Sequence, residues 1–177
     1  LYNAALIVDP SGVIGTYRKI HLFYKEKQWF SPGNRKPGIY SITSKNDHQK
    51  YSLGVMVCFD WIFPELMRTL ALLGADIVAH PANLVLPYCQ NAMVTRCLEN
   101  RVFAVTSNRI GAEKRGEDHF LFTGQSQITG SDGKILIRAS MEDSGLFLRE
   151  IDIAQARNKF LNPFNSVIQD RHPEFYF

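Results

Sequence analysis

A cysteine at the end of a predicted buried strand is the residue whose type and position most favour chemistry in this sequence. Residues 52–65 read SLGVMVCFDWIFPE, so an apolar run ends at Cys58 and a helix is predicted to begin at Pro64. Ligands of open α/β sheets collect at the carboxyl ends of strands, and a helix N-terminus favours a thiolate or a developing oxyanion. Cys58 is therefore a candidate nucleophile. The alternative is an ordinary buried thiol, the usual state of a free cysteine.

A lysine and a glutamate follow another predicted strand. Lys19 comes shortly after the strand predicted over 13–17, so it also lies at a carboxyl end, where it would meet Cys58 and hold a thiolate or stabilise an oxyanion. Glu26, further along the same loop, would fix Lys19 or share its proton. The alternatives are a solvated loop lysine and a surface carboxylate, which are the commoner states of both residue types.

Other polar and aromatic residues also follow strand ends. Trp61, Asn83 and the His80-Pro81 turn occupy such positions and are candidates to line a pocket. The alternatives are that Trp61 belongs to the core and that Asn83 bonds to the backbone of its own loop.

The second predicted helix carries residues that we interpret as structural. Arg96, Glu99 and Asn100 are expected to form a polar network, and Cys89 and Cys97 to be packing thiols. The sequence has no CxxC and no His pair at ligand spacing, so neither a disulfide framework nor a metal site is predicted.

Element types alternate along the chain as an α/β fold requires. Strands are predicted over 4–8, 13–17, 39–43, 51–58, 75–80, 102–107, 124–129, 135–139 and 146–151. Helices are predicted over 64–74, 88–101 and 153–159, and loops over 18–38, 44–50 and 112–119. The β-α-β pattern over 51–80 predicts a parallel pair with a right-handed crossover, and turn residues at 9–12 and 130–133 predict hairpins. The chain, 1–177, is interpreted as one α/β domain that is antiparallel towards its C-terminus.

Composition limits the class of protein. The chain has 177 residues, of which 45% are hydrophobic and 21% charged, the composition of a soluble globular domain. A net charge of +3 comes from 20 basic and 17 acidic residues that are interspersed, so nucleic-acid binding is not favoured. Apolar runs fall short of the roughly 20 residues of a membrane span. Free thiols and the lack of a signal peptide pattern predict a cytoplasmic protein.

Several spaced motifs resemble those of the nitrilase superfamily of carbon–nitrogen hydrolases. The motifs are YRKIHLF at 17–23 with Glu26, FSPG at 30–33, GVMVCFD at 54–60, FPE at 63–65, GAD at 74–76, HPAN at 80–83, Arg96 with ENR at 99–101, and DRHPE at 170–174. They occur in the family's order over nearly the whole chain. The resemblance implies a four-layer αββα sandwich, assembled as a homodimer or a higher homo-oligomer.

The resemblance also implies a Glu-Lys-Cys triad that needs no metal or organic cofactor. By this resemblance Cys58 is the nucleophile, Lys19 and the Phe59 backbone N–H stabilise the tetrahedral species, and Glu26 joins the catalytic group as the partner of Lys19. The family's general-base glutamate has no counterpart, because the only acidic residue before Lys19 is Asp9, which is assigned to a turn. The family's first strands and helices, roughly 80 residues forming its opening β-α-β units, are expected before Leu1, and the chain is interpreted as the C-terminal two-thirds of such a domain.

The implied activity is hydrolysis of a small nitrile or amide through a thioester on Cys58. An N-carbamoyl-type amidohydrolase would share the triad, and residues Asn158, Lys159, Asn162 and Asn165 resemble those of archaeal-type nitrilases and small amidases. A rival from another class is an inactive fragment that acts as a structural unit, since it lacks the general base. A nucleic-acid binder is a distant third alternative.

Overall fold

A six-stranded mixed sheet is the framework of the computed structural model, which describes residues 1–44 and 48–176. The strands are β1 (Ala4–Asp9), β2 (Gly12–Arg18), β3 (Ile39–Thr43), β4 (Lys50–Val55), β5 (Ile77–Ala82), β6 (Phe103–Asn108), β7 (Ala112–Arg115), β8 (Asp118–Leu121), β9 (Gln127–Thr129), β10 (Ile135–Arg138), β11 (Phe160–Asn162) and β12 (Asn165–Ser166). The helices are α1 (Glu26–Trp29), α2 (Pro64–Leu72), α3 (Cys89–Asn100) and α4 (Ala154–Arg157), with 3-10 turns at Cys58–Ile62 and Pro173–Phe175.

The large sheet has the strand order β10-β9-β6-β5-β4-β3. Its central strands β4, β5 and β6 are parallel, and β3, β9 and β10 join them antiparallel. The other strands form three antiparallel pairs, β1–β2, β7–β8 and β11–β12. The parallel pair predicted over 51–80 and the two predicted hairpins, β1–β2 and β9–β10, are thus confirmed.

Helices α2 and α3 pack together and contribute to the core on one face of this sheet. Pro64 opens α2, where a missing N–H is tolerated, and Gly74 follows its end with φ of +94°. The side chain of Leu70 packs on Gly54 of β4, where an added Cβ would lie 3.2 Å from both of its methyl carbons. No helix in the described ranges is long and apolar enough to cross a membrane.

The β1–β2 hairpin covers the opposite face of the sheet. Side chains alternate across a strand, so Leu53 points away from α2 because its neighbour Gly54 faces that helix. Tyr40 lies opposite Leu53, and its ring lies against Gly15 of β2, where an added Cβ would meet it at 1.9 Å. Helices, large sheet and hairpin therefore form an α-β-β succession, which is three consecutive layers of the predicted αββα sandwich.

The strand predicted over 51–58 is shorter in the structure, and this places Cys58 differently. β4 ends at Val55, and Cys58 is the first residue of a 3-10 turn. The N–H of Val57 donates to the Asp60 carboxylate at 2.8 Å, so a side chain satisfies the backbone where the ladder stops. Cys58 thus lies on a turn just beyond the strand.

Two other predictions are wrong. The loop predicted over 112–119 is the β7–β8 hairpin, whose side chains are mostly exposed and polar and so give no strand pattern. The strand predicted over 146–151 pairs with no described strand, and its apolar residues Leu146 and Leu148 are exposed. The long loop over 18–38 contains α1, and part of the turn predicted over 44–50, residues 45–47, lies outside the described residues.

His80 is a buried polar residue of β5 that lies opposite Thr106 of β6. Its Nε2 is 2.9 Å from the carbonyl oxygen of Cys58, and its Nδ1 is 3.1 Å from the Thr106 hydroxyl. A carbonyl only accepts, so Nε2 carries the hydrogen and Nδ1 accepts from Thr106. Burial lowers the pKa of His80 to about 4, so the imidazole is neutral at pH 7.

We expect Leu70→Ala to lower the free energy of unfolding by about 3 kcal/mol, because it opens a cavity against Gly54. Leu72→Ala, two residues along the same helix, is the matched control. Leu70 is 0% exposed and Leu72 45% exposed, so the control is expected to lose at most about 0.5 kcal/mol. Urea unfolding at fixed pH measures both, and equal losses would contradict the packing described for α2.

We expect His80 to make the fold acid-sensitive between pH 6.5 and about 4, the ordinary and the folded pKa values of its imidazole. Above pH 6.5 its contribution is complete; as the pH falls, the unfolded chain takes up the proton first, and about 3 kcal/mol is lost across the window. The measurement is the pH dependence of the unfolding free energy. His80→Gln should give a shallower slope there, whereas His119→Gln, at an exposed histidine, should keep the original slope. Identical slopes for all three proteins would refute the assignment.

Candidate active site

Cys58 adopts a backbone conformation that is rare for a residue with a side chain. Its φ is +48°, in the left-handed region, which costs an L-residue roughly 1–2 kcal/mol. The turn bends the chain from β4 towards α2, and Cys58 lines an open cleft. Such strained positions persist only where surrounding contacts determine them, and the hydrogen bond from His80 to the Cys58 carbonyl is one of these contacts.

Lys19 lies directly after β2 and is buried, with 1% of its surface exposed. Its Nζ donates to Glu26 Oε2 at 2.5 Å. Its backbone N–H donates to Asn3 at 2.8 Å, and its carbonyl accepts from Gly33 at 2.8 Å. An added Cβ at Gly33 would lie 2.3 Å from the Arg18 carbonyl oxygen, so only glycine allows the chain to approach this closely. The lysine is thus held at both its backbone and its ammonium group.

Glu26, the first residue of α1, collects three donors. Besides Lys19, the backbone N–H of Phe23 donates to Oε2 at 2.7 Å and the side chain of Asn3 donates to Oε1 at 2.9 Å. Because all three neighbouring groups donate, the Glu26 carboxylate acts here as a hydrogen-bond acceptor. The pairing of Glu26 with Lys19 expected from the sequence is present, and the catalytic roles of both residues stay predictions.

The groups around the Cys58 thiol have opposing effects on its pKa. Burial raises the pKa of Cys58 above its ordinary value, and the charge of Glu26 also raises it. The positive charge of Lys19 lowers it, as do hydrogen bonds with the backbone of Asn83 and of Phe59. Because the net effect is a raised pKa, the thiol is protonated at neutral pH, and attack by its sulfur requires a base.

The cleft beside Cys58 has a volume of about 790 Å³. Residues of the loop around α1 form one wall, and the β7–β8 hairpin, with Arg115 and Phe120, forms another. Asp118 joins the two walls, because Lys25 Nζ donates to it at 2.5 Å and the Tyr24 hydroxyl at 3.1 Å. No pattern in the sequence indicated that this hairpin is part of the site.

The three residues predicted to bind the oxyanion or the substrate lie around Cys58. Phe59 is the next residue of the turn, and its ring packs 5.0 Å from that of Phe23. Asn83 is exposed in the cleft, and its carbonyl accepts from Cys58 Sγ at 3.8 Å. Trp61 is buried in the core, and one edge borders a narrow recess shared with Cys58 and Asn83. Trp61 therefore occupies the core position that was its alternative interpretation.

The polar residues of α3 that the sequence analysis interprets as structural stabilise the turn that carries Cys58. Arg96 donates to the carbonyls of Trp61 and Ile62 at 3.4 Å, and it pairs with Glu99 at 3.3 Å. Asn100 donates to the Arg96 carbonyl at 2.9 Å. This is the polar network predicted for the helix.

The remaining thiols do not reach the cleft. Cys89 and Cys97 are buried in the core, and burial raises the pKa of each. Within the described ranges no cluster of His, Cys, Asp or Glu side chains is suited to hold a metal ion.

Comparison with known proteins agrees with this geometry. A family model described as carbon-nitrogen hydrolase matches residues 1–159. A nitrilase from Pyrococcus abyssi is 47% identical over 177 residues, covering 100% of this chain and 64% of that protein. An (R)-stereoselective amidase from Pseudomonas sp. is 33% identical over 159 residues, covering 88% of this chain and 54% of that protein.

Solved structures show the same fold. A carbon-nitrogen hydrolase from Helicobacter pylori aligns with a TM-score of 0.82 at 25% identity, covering 99% of this chain and 64% of that one. An amidase from Nesterenkonia sp. AN1, solved with acrylamide added at its active-site cysteine, aligns with a TM-score of 0.69 at 28% identity, covering 78% and 53%. The chain spans less than two-thirds of the length of each of these proteins. On the family match and the identity to its relatives, the chain belongs to the carbon–nitrogen hydrolases of the nitrilase superfamily.

Proposed function

We propose that the protein hydrolyses a non-peptide carbon–nitrogen bond of a small amide or nitrile through a thioester on Cys58. The observation that carries the proposal is the left-handed turn that presents Cys58 to the cleft, beside a buried lysine whose charge acts on its thiol. A nucleophile on a strained turn, next to a fixed cation, suits acyl transfer.

In the first half-reaction a base takes the thiol proton and Sγ attacks the carbonyl carbon of the amide. Negative charge moves to the substrate oxygen, where the Lys19 ammonium and the Phe59 backbone N–H receive it. Glu26 takes one of the three N–H donors of Lys19 and fixes the direction of the ammonium. The C–N bond then breaks, the protonated base gives its proton to the leaving nitrogen, and the acyl group remains on sulfur.

In the second half-reaction water replaces the thiolate. The base removes a proton from water as its oxygen attacks the thioester carbon, and the same two donors hold the oxyanion. The C–S bond breaks, the carboxylic acid leaves, and the sulfur takes back a proton. For an amide the net change is one water consumed, with one acid and one ammonia or amine released. A nitrile consumes a second water, which adds to the carbon–nitrogen bond before ammonia leaves.

The identity of the base is a separate part of the proposal. Two carboxylates of the described residues line the cleft, Glu26 and Asp118, and both already accept from several donors. We therefore assign the base to neither of them; the family resemblance implies a glutamate that has no counterpart in residues 1–177. The resemblance likewise supports a homo-oligomer, and the free cysteines favour a reducing compartment such as the cytoplasm.

The class of substrate separates the two enzymatic alternatives. Relatives of this chain include proteins named nitrilase and N-carbamoylputrescine amidase, and the same nucleophile serves nitriles, amides and carbamoyl compounds. Ammonia release from small members of each class, compared at equal concentration, distinguishes them. Activity on none of the three classes would favour the alternative of an inactive structural unit.

We expect Cys58→Ala in the complete natural protein to abolish ammonia release and the acyl adduct. Rapid acid quenching of the wild-type protein during turnover should show a mass increase equal to the acyl group, because the thioester accumulates on sulfur. Cys97→Ala is the matched control, since its thiol lies in the core, and it should keep both signals. Full activity of the Cys58 variant would refute the mechanism.

We expect Lys19→Met to lower kcat by about 10²–10³-fold with a smaller change in KM, because the charge that the ammonium meets grows in the transition state. Lys27→Met is the control for loss of a positive charge from the same loop, since Lys27 is exposed. Steady-state kinetics with the best amide or nitrile measures both. An equal effect of the two substitutions would argue against an oxyanion role for Lys19.

A further inference from the structure

Asp60, the third residue of the Cys58 turn, is a completely buried carboxylate surrounded by donors. It has 0% exposed surface. Oδ1 accepts from the backbone N–H of His21 at 3.1 Å and from its Nδ1 at 2.8 Å. Oδ2 accepts from the Tyr17 hydroxyl at 2.7 Å and from the Val57 backbone N–H at 2.8 Å. A carboxylate that is out of water is stable only with such compensation.

These donors come from the two chain segments that carry Lys19 and Cys58. Tyr17 and His21 stand two residues before and two residues after Lys19, and Val57 directly precedes Cys58. Both segments lie at or beyond the end of a strand, since β2 ends at Arg18 and β4 at Val55. One side chain therefore joins two segments at the points where the ladders of their strands stop.

The network requires an acceptor without a hydrogen of its own. All four neighbouring groups donate, and an ionised carboxylate accepts four hydrogen bonds on two oxygens. Tyr17 remains a donor, because burial and the charge of Asp60 raise its pKa. The ring of His21 stacks on Phe63 with 3.7 Å between centroids, which fixes the direction of its N–H.

We propose that Asp60 is a positioning residue that sets the Lys19 ammonium against the Cys58 sulfur. The inference rests on the proposed roles of Lys19 and Cys58 but is independent of the substrate. Asp60 is buried and does not line the cleft, so it acts through the backbones and side chains that it holds. Because positioning errors of about 1 Å cost large factors in rate, this buried link is part of how the site is built.

The pKa of the Cys58 thiol distinguishes positioning from a direct effect of charge. Lys19 lowers this pKa, and Glu26 raises it. Asp60→Asn keeps the size of the side chain but turns an NH₂ group towards two donors, so the lysine segment shifts and the pKa of Cys58 rises. If Asp60 acted only as a nearby negative charge, its removal would instead lower the pKa. The two explanations therefore predict opposite changes in the pKa of Cys58 in the Asp60→Asn variant.

The experiment measures the rate of Cys58 alkylation by iodoacetamide against pH. For Asp60→Asn we expect the midpoint to rise by at least ~0.5 pH unit and the rate at neutral pH to fall about 3-fold or more. Tyr17→Phe, which removes one donor and keeps the ring, should raise the midpoint by a smaller amount. Lys19→Met should also raise the midpoint, and the double variant with Asp60→Asn should have the same midpoint as Lys19→Met alone. Cys58→Ala reports any labelling of the two core thiols.

Three results would overturn the proposal. The first is an unchanged or lowered alkylation midpoint in Asp60→Asn, and the second is a double variant in which the shifts of Asp60→Asn and Lys19→Met add fully. If circular dichroism shows that Asp60→Asn does not fold, the third is an unchanged midpoint in Tyr17→Phe. Alkylation does not require hydrolysis, so the outcomes separate. If the alkylation midpoint shifts in Asp60→Asn but the wild-type protein releases no ammonia, the proposed function is refuted and the positioning role is supported. If the wild-type protein releases ammonia but the midpoint does not shift, the proposed function is supported and the positioning role is refuted.

Discussion

The left-handed backbone of Cys58 is the constraint on which the surrounding structure depends. A residue with a side chain at φ of +48° stores strain, so the turn exists only because its neighbours hold it. His80 of β5 donates to the Cys58 carbonyl, and Arg96 of α3 donates to the carbonyls of the last two residues of the same turn. The positions of His80 and Arg96 are therefore explained by the turn, since the backbone groups freed beyond β4 need partners away from water.

Charge burial adds a second requirement that the same region meets. A lysine with 1% exposed surface is costly unless a carboxylate lies beside it, and Glu26 fills this role at 2.5 Å. Four further hydrogen bonds hold this pair. Asn3 and Phe23 donate to Glu26. Gly33 donates to the Lys19 carbonyl, and the Lys19 backbone N–H donates to the Asn3 carbonyl. The sulfur nevertheless has a raised pKa, so the site stores a protonated nucleophile beside a fixed cation, and chemistry begins only when a base removes the proton.

Local sequence patterns predicted the parts of this fold that local forces determine. The β-α-β unit over 51–80 follows from an apolar strand, Pro64 and Gly74. The positions of Lys19 and Cys58 after strand ends, with Glu26 on the loop of Lys19, predicted that these side chains lie near one another. The strand predicted over 146–151 does not form, because a short apolar run becomes a strand only where a neighbouring strand pairs with it. The link between Asp60 and His21 joins residues 39 apart, and the contact between Lys25 and Asp118 joins residues 93 apart. No periodicity within either segment encodes such pairings.

The buried residues around the Cys58 turn and the walls of the cleft are held by contacts of different strength. Asp60, His80 and Lys19 are buried, and removing a partner from a buried charged or polar group costs several kcal/mol. The walls meet through Lys25 and Asp118, an ion pair of which the lysine side chain is 47% exposed, and such pairs contribute about 0.2–1 kcal/mol. A change of residue in the hairpin therefore alters what fits in the cleft at little cost in stability, whereas a change beneath Cys58 alters the geometry of the thiol itself. Under the proposed mechanism, the buried residues around the Cys58 turn set the geometry of the reacting groups, and the exposed wall sets the shape available to a substrate.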